Sequence, residues 1–396
     1  MFAKKTIKDV DVRGKRVLVR VDFNVPLADG AVSDDTRIRA ALPTLRYLVD
    51  HDARVIVVSH LGRPKGEPDP QYSLRPVRRV LQRLLGRNVA FVDDCVGPEV
   101  HEAVERMVDG EILMLENVRF HVGEKSNDVA FSAMLASLAE LYVNDAFGAA
   151  HRAHASTAGV AAHLPAVAGL LLAREIETLS GMLEKPERPF VAILGGSKVS
   201  DKFGVIERLL DSVDTLIIGG GMCFTLLVAK GVSVGRSIVE PDWVEPAREV
   251  LTKAAARGVS ILLPVDFVVS DQIAEDADTR IVGREEIPDE SMGLDIGPTT
   301  SELFKEAIAG ARTIFWNGPM GVFELTPFES GTHDVAAVVA RNNRAASIVG
   351  GGDSVAALRK FGFEERVTFV STGGGASMKL LEGATLPGVE ALEDRG

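Results

Sequence analysis

Short runs of apolar, mostly β-branched residues recur along the chain, and between them the apolar positions fall three or four apart. The first series is Val17–Val21, Val55–Val58, Val89–Val92, Ile112–Leu115 and Leu141–Val143. A second series follows at Val191–Leu194, Leu216–Ile218, Ile261–Leu263, Thr313–Trp316, Ser347–Val349 and Val367–Val370. A strand that is apolar on both faces is covered on both faces, and parallel strands need the helical crossovers that supply such cover. The pattern predicts an α/β protein with two doubly wound parallel-sheet domains.

Between the two series, Leu172, Ile176, Leu179 and Leu183 make a helical stripe within Ala166–Lys185 before Pro186 and Pro189 interrupt it. This segment reads as a helix linking the domains, and an ordinary crossover inside one domain is the alternative. Glycine usage favours a boundary, because only 11 of the 38 glycines lie in residues 1–170 and the remainder cluster where strands of the second series end. We therefore expect one domain over 1–168 and another, with the linker helix, over 169–379. At 396 residues the chain suits two domains, at about 100 to 200 residues each.

Charge and cysteine content narrow the function. Lys and Arg number 44 against 56 Asp and Glu, a net charge of −12, so a broad electrostatic footprint for nucleic acid or for an anionic membrane is not expected. Anionic ligands must instead be met by local clusters of cations. Cys95 and Cys223 stand far apart, without a CxxC or a His at metal-ligand spacing, so neither a disulfide nor a zinc site is expected. Lys4 and Lys5 are followed by no apolar segment, and no run approaches the ~20 apolar residues of a membrane span. These features predict a soluble cytoplasmic protein.

In open parallel sheets ligands gather beyond the carboxyl ends of the strands. In the first half those positions carry Asp22-Phe23-Asn24-Val25-Pro26, His60-Leu61-Gly62-Arg63-Pro64, Arg119 after Glu116-Asn117, and His151-Arg152 after Asn144-Asp145. Guanidinium forks match carboxylate and phosphate oxygens, and their recurrence at successive strand ends points to one anion pocket. Each arginine taken alone is open to a solvated surface role. Arg37 stands in the first turn of a helix announced by Ser33-Asp34-Asp35-Thr36, where a cation opposes the helix dipole. It either faces a ligand or reaches Asp34 or Asp35. His60 is open to two roles, general base or hydrogen-bond donor to a substrate oxygen.

The second half is built on glycine. Val191–Leu194 runs into Gly195-Gly196-Ser197-Lys198-Val199-Ser200-Asp201-Lys202, and Val199, Phe203, Ile206, Leu210 and Val213 continue as a helical stripe. Strand, glycine turn and helix start together offer backbone N–H groups to phosphate, and the stripe places Lys198 and Lys202 on one helical face. Gly219-Gly220-Gly221, Gly350-Gly351-Gly352-Asp353-Ser354 and Gly373-Gly374-Gly375 likewise end apolar runs. Asp353 reads either as a helix N-cap or as a Mg²⁺ carboxylate. No GxxxxGK[ST] and no GxGxxG occurs, which disfavours a Walker-type NTPase and a nicotinamide dehydrogenase.

Taken in order, DFNVP, SHLGRP, ENVRF, GGSKVSDK, GGGM, WNGPMGVFE, GGGDS and STGGGAS closely resemble the motifs of phosphoglycerate kinases, from about residue 5 to the end of the chain. The resemblance implies two Rossmann-like domains and reversible phosphoryl transfer between 1,3-bisphosphoglycerate with MgADP and 3-phosphoglycerate with MgATP. It implies that Asp22, Phe23, Asn24, Arg37, His60, Leu61, Gly62, Arg63, Arg119 and Arg152 bind phosphoglycerate on the first domain. Nucleotide falls to Lys198, Lys202, Gly219, Gly220, Gly293, Asn317, Glu324, Gly350, Gly351, Gly352, Asp353 and Ser354 on the second, with Asp353 linked to magnesium. Arg37, Lys198 and Gly374 neutralise charge on the transferring group. Ser354 stands where many members carry Thr, and the hydroxyl is kept. The resemblance also implies a C-terminal tail, 380–396, that returns to the first domain, a closing hinge motion, and a cytoplasmic monomer.

Overall fold

The structure is a computed structural model that describes Phe2–Gly396. The first series of apolar runs forms a six-stranded sheet in the order β5-β6-β4-β1-β7-β8. Its members are β1 (Arg16–Arg20), β4 (Arg54–Val58), β5 (Ala90–Phe91), β6 (Ile112–Met114), β7 (Leu141–Asn144) and β8 (Ala166–Ala168), and every pairing is parallel. A small hairpin, β2 (Leu27–Ala28) with β3 (Ala31–Val32), turns on Asp29 and Gly30, both at positive φ as in a type I′ turn. Helices α1 (Thr36–Asp50), α2 (Arg75–Leu85), α3 (Pro98–Glu105), α4 (Val122–Lys125) and α5 (Val129–Ala136) complete this part. The stripe Ile38, Leu42, Leu45 and Val49 of α1 is buried with Val17, Val19, Val55 and Val57 in one core.

Ala166–Ala168 departs from the expected linker helix: it is a strand, and the helix α6 spans Leu170–Glu184. The Ala-Val-Ala tripeptide suits either state, and tertiary pairing decides. Ala168 N–H donates to Lys5 O at 2.8 Å, and Ala166 O accepts from Glu393 N–H at 2.9 Å, so chain segments from both termini add to the edge of β8. The start of α6 is set by Asp145, whose Oδ1 accepts the N–H groups of Leu171 and Leu172 at 2.9 and 3.2 Å, donors that a first helical turn cannot satisfy internally.

The second series forms another parallel six-stranded sheet, β11-β10-β9-β15-β16-β17. It comprises β9 (Phe190–Leu194), β10 (Thr215–Ile218), β11 (Ser260–Leu262), β15 (Thr313–Asn317), β16 (Ala346–Gly350) and β17 (Phe369–Val370). A three-stranded antiparallel sheet lies between β11 and β15 in the chain, formed by β12 (Asp266–Ser270), β13 (Arg280–Gly283) and β14 (Met292–Ile296), and the apolar pattern had not indicated it. The helices are α7 (Phe203–Leu209), α8 (Met222–Ala229), α9 (Val244–Ala256), α10 (Pro298–Ala309), α11 (Ser330–Arg341), α12 (Gly352–Lys360) and α13 (Gly375–Leu381). Trp316, Phe304, Ile193 and Val335 lie in its core.

The chain divides into two compact units, one running to Thr178 and taking in Ala384–Gly396, the other Leu179–Gly383. The division falls inside α6, whereas the glycine pattern placed it before that helix. The last segment carries α14 (Pro387–Glu390), and Asn144 Nδ2 donates to Gly388 O at 2.8 Å while Gly388 N–H donates to Ala150 O at 2.9 Å.

Candidate active site

In the first unit the loops that follow β1, β4 and β6 are laced together by their own polar groups. Phe23 N–H donates to Ser59 Oγ (2.9 Å), Gly62 N–H to Asn24 Oδ1 (2.8 Å), and Leu61 N–H to Asn117 Oδ1 (3.2 Å). Gly62 is held at φ +62°, and a Cβ there would stand 2.2 Å from the Tyr72 ring, so this turn requires glycine. On this frame sit Arg37, His60 and Arg119. Arg37 Nη1 donates to Asn24 O at 2.7 Å and lies 3.5 Å from Asp22, so it turns to the β1 loop, while Asp35 takes Arg39.

Arg119 Nη1 donates to Gly62 O at 2.7 Å, and its Nε is buried with no hydrogen-bond partner among the described residues. Burial, then the neighbouring Arg20 and Arg152, lowers its pKa to about 10, which leaves it charged at neutral pH. Arg63 and Arg152 are exposed, and Arg152 Nε donates to His151 Nε2 at 3.1 Å.

Beneath them lies a buried polar group that the sequence did not disclose. Arg20, the last residue of β1, has no exposed surface, and neither has Glu124. Arg20 Nε donates to Ser156 Oγ at 2.7 Å, Nη1 donates to Val21 O, and Nη2 lies 3.0 Å from His60 Nδ1 and 3.9 Å from Glu124. Because a guanidinium can only donate, His60 Nδ1 accepts, and the ring hydrogen is assigned to Nε2. Burial, followed by the charges of Arg20, Arg119 and Arg37, holds the His60 pKa well below its ordinary value. His60 is therefore neutral with its N–H at Nε2, and because Nδ1 already accepts from Arg20, the arrangement favours a donor role over that of a general base. His154, 3.7 Å from Glu124, is lowered to about 4, again chiefly by burial.

In the second unit the glycine loops do not fold as one helical cradle. Helix α7 begins only at Phe203, because Gly195–Asp201 is drawn into loop contacts: Gly196 N–H donates to Pro319 O at 3.0 Å, and Ser200 Oγ to Glu240 at 2.5 Å. Lys198 and Lys202 consequently do not share a helical face. Lys198 is exposed, while Lys202 Nζ donates to Gly195 O and Asn317 O at 2.5 and 2.8 Å. Burial lowers Lys202 to about 8, against the pull of Asp353 and Asp201.

Asn317 Nδ2 donates to Gly350 O at 2.9 Å, and the buried Ser354 Oγ accepts from Gly318 N–H at 2.5 Å. Lys202, Asn317 and Ser354 thus tie the ends of β9, β15 and β16 and the start of α12 to one another. Asp353 is exposed in the first turn of α12, where Gly351 takes the N-cap position, so its N-cap reading falls. Gly374 occupies the N-cap position of α13 at φ +50°.

A pocket of about 550 Å³ opens beside these loops, and Gly220, Gly293, Glu324 and Asp353 of the expected nucleotide set line it together with Gly196 and Ser197. Lys198, Lys202, Gly219, Asn317, Gly350, Gly351, Gly352 and Ser354 are not among its lining residues. One wall is an apolar slot that motif reading missed: Phe224, Ile238, Phe267, Met292 and Met320, drawn from α8, β12, β14 and loops scattered over the unit. A Cβ on Gly293 would stand 2.3 Å from the Phe224 ring, so glycine there lets the ring close against the β14 backbone.

Asp295, also on the pocket wall, is buried, and that burial raises its pKa to about 8 although it accepts N–H bonds from Ile296 and Gly331. The folded state keeps this proton where the unfolded carboxyl, with a pKa of about 4, has lost it. Its contribution to stability is therefore complete below pH ~4 and is lost as pH rises through about 8. Asp295→Asn is expected to gain stability relative to the parent at pH 8 but not at pH 4, read by denaturant unfolding with Trp243 and Trp316, both in this unit. Parallel pH profiles for the two proteins would refute it.

A family model described as phosphoglycerate kinase matches residues 7–384. The phosphoglycerate kinases of Rubrobacter xylanophilus and Moorella thermoacetica are each 58% identical, over 392 residues (99% of both chains) and 394 residues (100% of both). Among solved structures, that of phosphoglycerate kinase from Coxiella burnetii aligns with a TM-score of 0.88 at 42% identity, covering 98% of each chain. The chain belongs to the phosphoglycerate kinase family.

Proposed function

We propose that this kinase carries out the glycolytic reaction of its family, reversible phosphoryl transfer between 1,3-bisphosphoglycerate with MgADP and 3-phosphoglycerate with MgATP. In this reading the first unit takes the acid substrate and the second the nucleotide. The observation that carries it is the convergence of Arg37, His60 and Arg119 on the laced loops after β1, β4 and β6, with the Arg119 Nε a buried donor that has no partner among the described residues. Fixed cations and a neutral N–H donor suit a substrate with a carboxylate at one end and a phosphate at the other. Asp22, Phe23, Asn24, Leu61 and Gly62 shape that pocket, and the exposed Arg63 and Arg152 reach for the phosphate.

In the second unit the apolar slot between Phe224 and Met292 suits a planar base, with Gly220 and Gly293 admitting it closely. Lys198 and the Gly374 turn serve the transferring phosphoryl group, and Lys202, Asn317 and Ser354 hold the loops around it. The Asp353 carboxylate is exposed on the pocket wall, and a single carboxylate fits Mg²⁺, which takes one or two along with phosphate oxygens and water. The metal, when bound, neutralises phosphate charge; Asp353 orients it, with Gly350, Gly351 and Gly352 giving α12 its start. No described helix is long and apolar enough to cross a membrane, and we take the cytoplasm as the compartment and one chain as the working unit.

A coupled assay with 3-phosphoglycerate and MgATP tests the reading, and absence of turnover would overturn it. The division of ligands is tested separately. Arg63→Ala is expected to weaken phosphoglycerate binding by about tenfold to a hundredfold, the worth of a charge-assisted hydrogen bond, with MgADP affinity unchanged by calorimetry. Equal losses for both ligands would contradict the assignment of substrates to units.

A further inference from the structure

Two loops leave neighbouring strands of the first sheet. The loop after β5 carries Asp94 and Cys95, and the segment after β6 passes through the single turn Val118–Phe120 to reach His121. Glu116 N–H donates to Asp94 O at 3.2 Å and ties the two together. Across that tie a carboxylate oxygen of Asp94, Sγ of Cys95 and a ring nitrogen of His121 all lie within 4.8 Å of one another. Helix α3 and strand β6 separate the pair from the histidine in sequence. For that reason Cys95 reads as a solitary cysteine, and a zinc site was not expected.

We propose that Asp94, Cys95 and His121 form a binding site for a transition-metal ion of the zinc class, separate from the substrate pockets. One thiol, one imidazole and one carboxylate are the donor types zinc takes, whereas Mg²⁺ and Ca²⁺ call for oxygen ligands throughout. Tetrahedral zinc, with ligands at about 2.0 to 2.3 Å, sets them roughly 3.3 to 3.8 Å apart. The three ligand atoms, all within 4.8 Å of one another, lie close enough to adopt that spacing. His121 Nε2 and Asp94 Oδ1 stand at 2.7 Å and need open only slightly, which an exposed aspartate can do by rotating its side chain.

The His121 ring is steadied by stacking on Phe131, with centroids 5.0 Å apart. Cys95 is buried, while the Asp94 and His121 side chains are 49% and 31% exposed, so the ion enters from solvent and keeps its fourth position for water. Binding exchanges the thiol proton, released to solvent, for the metal. The ion joins the β5 loop to the segment that also carries Asn117 and Arg119.

Cobalt(II) titrated into the full chain tests this, because a thiolate ligand adds a charge-transfer band in the near ultraviolet. We expect one saturable equivalent, displaced by zinc. The band is lost in Cys95→Ala and kept in Cys223→Ala. Asp94→Asn and His121→Gln, which alter partly exposed side chains, are expected to weaken affinity at least about tenfold, since even residues that only support metal ligands are worth that much. Zinc should raise the thermal midpoint of the parent and of Cys223→Ala alone. The proposal is overturned by a parent protein with no saturable band, by a band that survives Cys95→Ala, or by unchanged affinity in His121→Gln. The histidine arm decides should Cys95→Ala fold poorly.

Discussion

Lys198→Ala is expected to fold as the parent does and to lose about a hundredfold to a thousandfold in kcat, the range for removing one charge stabiliser from a transition state. The two halves of that statement rest on different facts. Lys198 is exposed in the loop before α7, and among the described residues no hydrogen bond or ion pair engages its ammonium; Glu240 acts on it only through longer-range charge. Truncating such a side chain changes stability by no more than about 0.5 kcal/mol. The loop itself is held by others: Gly196 N–H on Pro319 O, Ser200 on Glu240, and Lys202 on Gly195 and Asn317. An untethered cation is free to follow the charge as it spreads over the transferring oxygens. A kcat within about threefold of the parent, with thermal unfolding unchanged, would refute the role. Lys202→Ala makes the control, since it removes two internal hydrogen bonds and should lower stability as well as activity.

The contrast between these lysines shows where sequence reading stops. Every strand of the two parallel sheets except β8 coincides with an apolar run; for inner strands such as β4, β9 and β15 the cause is burial on both faces, whereas the edge strands β5 and β11 are partly exposed and keep the run for the face that packs on the unit. Strand β8 is three residues of small side chains and is fixed by partners from the two chain termini, which periodicity cannot see. The sheet β13-β12-β14 escaped because β13 is largely exposed and the other two interrupt their apolar positions with polar or small residues, Asp266 and Ser270 in β12 and Gly293 and Asp295 in β14. The Val199–Val213 stripe promised a helix from its first residue, but the helix starts at Phe203. Hydrogen bonds from Gly196 and Ser200 to Pro319 and Glu240, far along the chain, compete with helix formation there.

The candidate site divides along the same line. Residues in contiguous motifs, such as Asn24, His60 and Arg119, were legible as chemistry. The apolar wall of Phe224, Ile238, Phe267, Met292 and Met320 was not, because each looks like ordinary core and only the fold assembles them. Arg20 had one visible signal: a charge ending an otherwise apolar run, which a buried strand cannot carry without a partner. Its partner, Glu124, lies more than a hundred residues away in α4, and sequence spacing gives no hint of it.

That buried pair sets the second large expectation. Arg20→Met is expected to cost about 3 to 5 kcal/mol in the first unit, the usual result of removing one partner from a buried ion pair. Methionine fills the space of the side chain stem, so the loss comes from what is stranded. Glu124 keeps the N–H and Oγ–H of Ser156 at 2.9 and 2.7 Å but loses the guanidinium 3.9 Å away, leaving Arg119 to act on it through longer-range charge, and Val21 O and Ser156 Oγ lose the Arg20 donor. The readout is native-state hydrogen exchange at the amides of β1 and β7, which reports the first unit alone, whereas both tryptophans report the second. Pairing the change with Glu124→Gln should recover part of the loss, because the stranded charge goes with its partner.

His60 gives an independent reading of the same event. Without the Arg20 donor at Nδ1, the Nε2–H tautomer is no longer enforced, and one of the charges that depress its pKa is gone. Its titration, followed by NMR, should move upward while burial still holds it below the ordinary histidine value. Protection losses under about 1 kcal/mol together with an unmoved His60 would mean that Ser156, the β1 backbone and bound water satisfy this corner without the guanidinium, and that the chain retains Arg20 for some reason other than holding His60 and Glu124 in place.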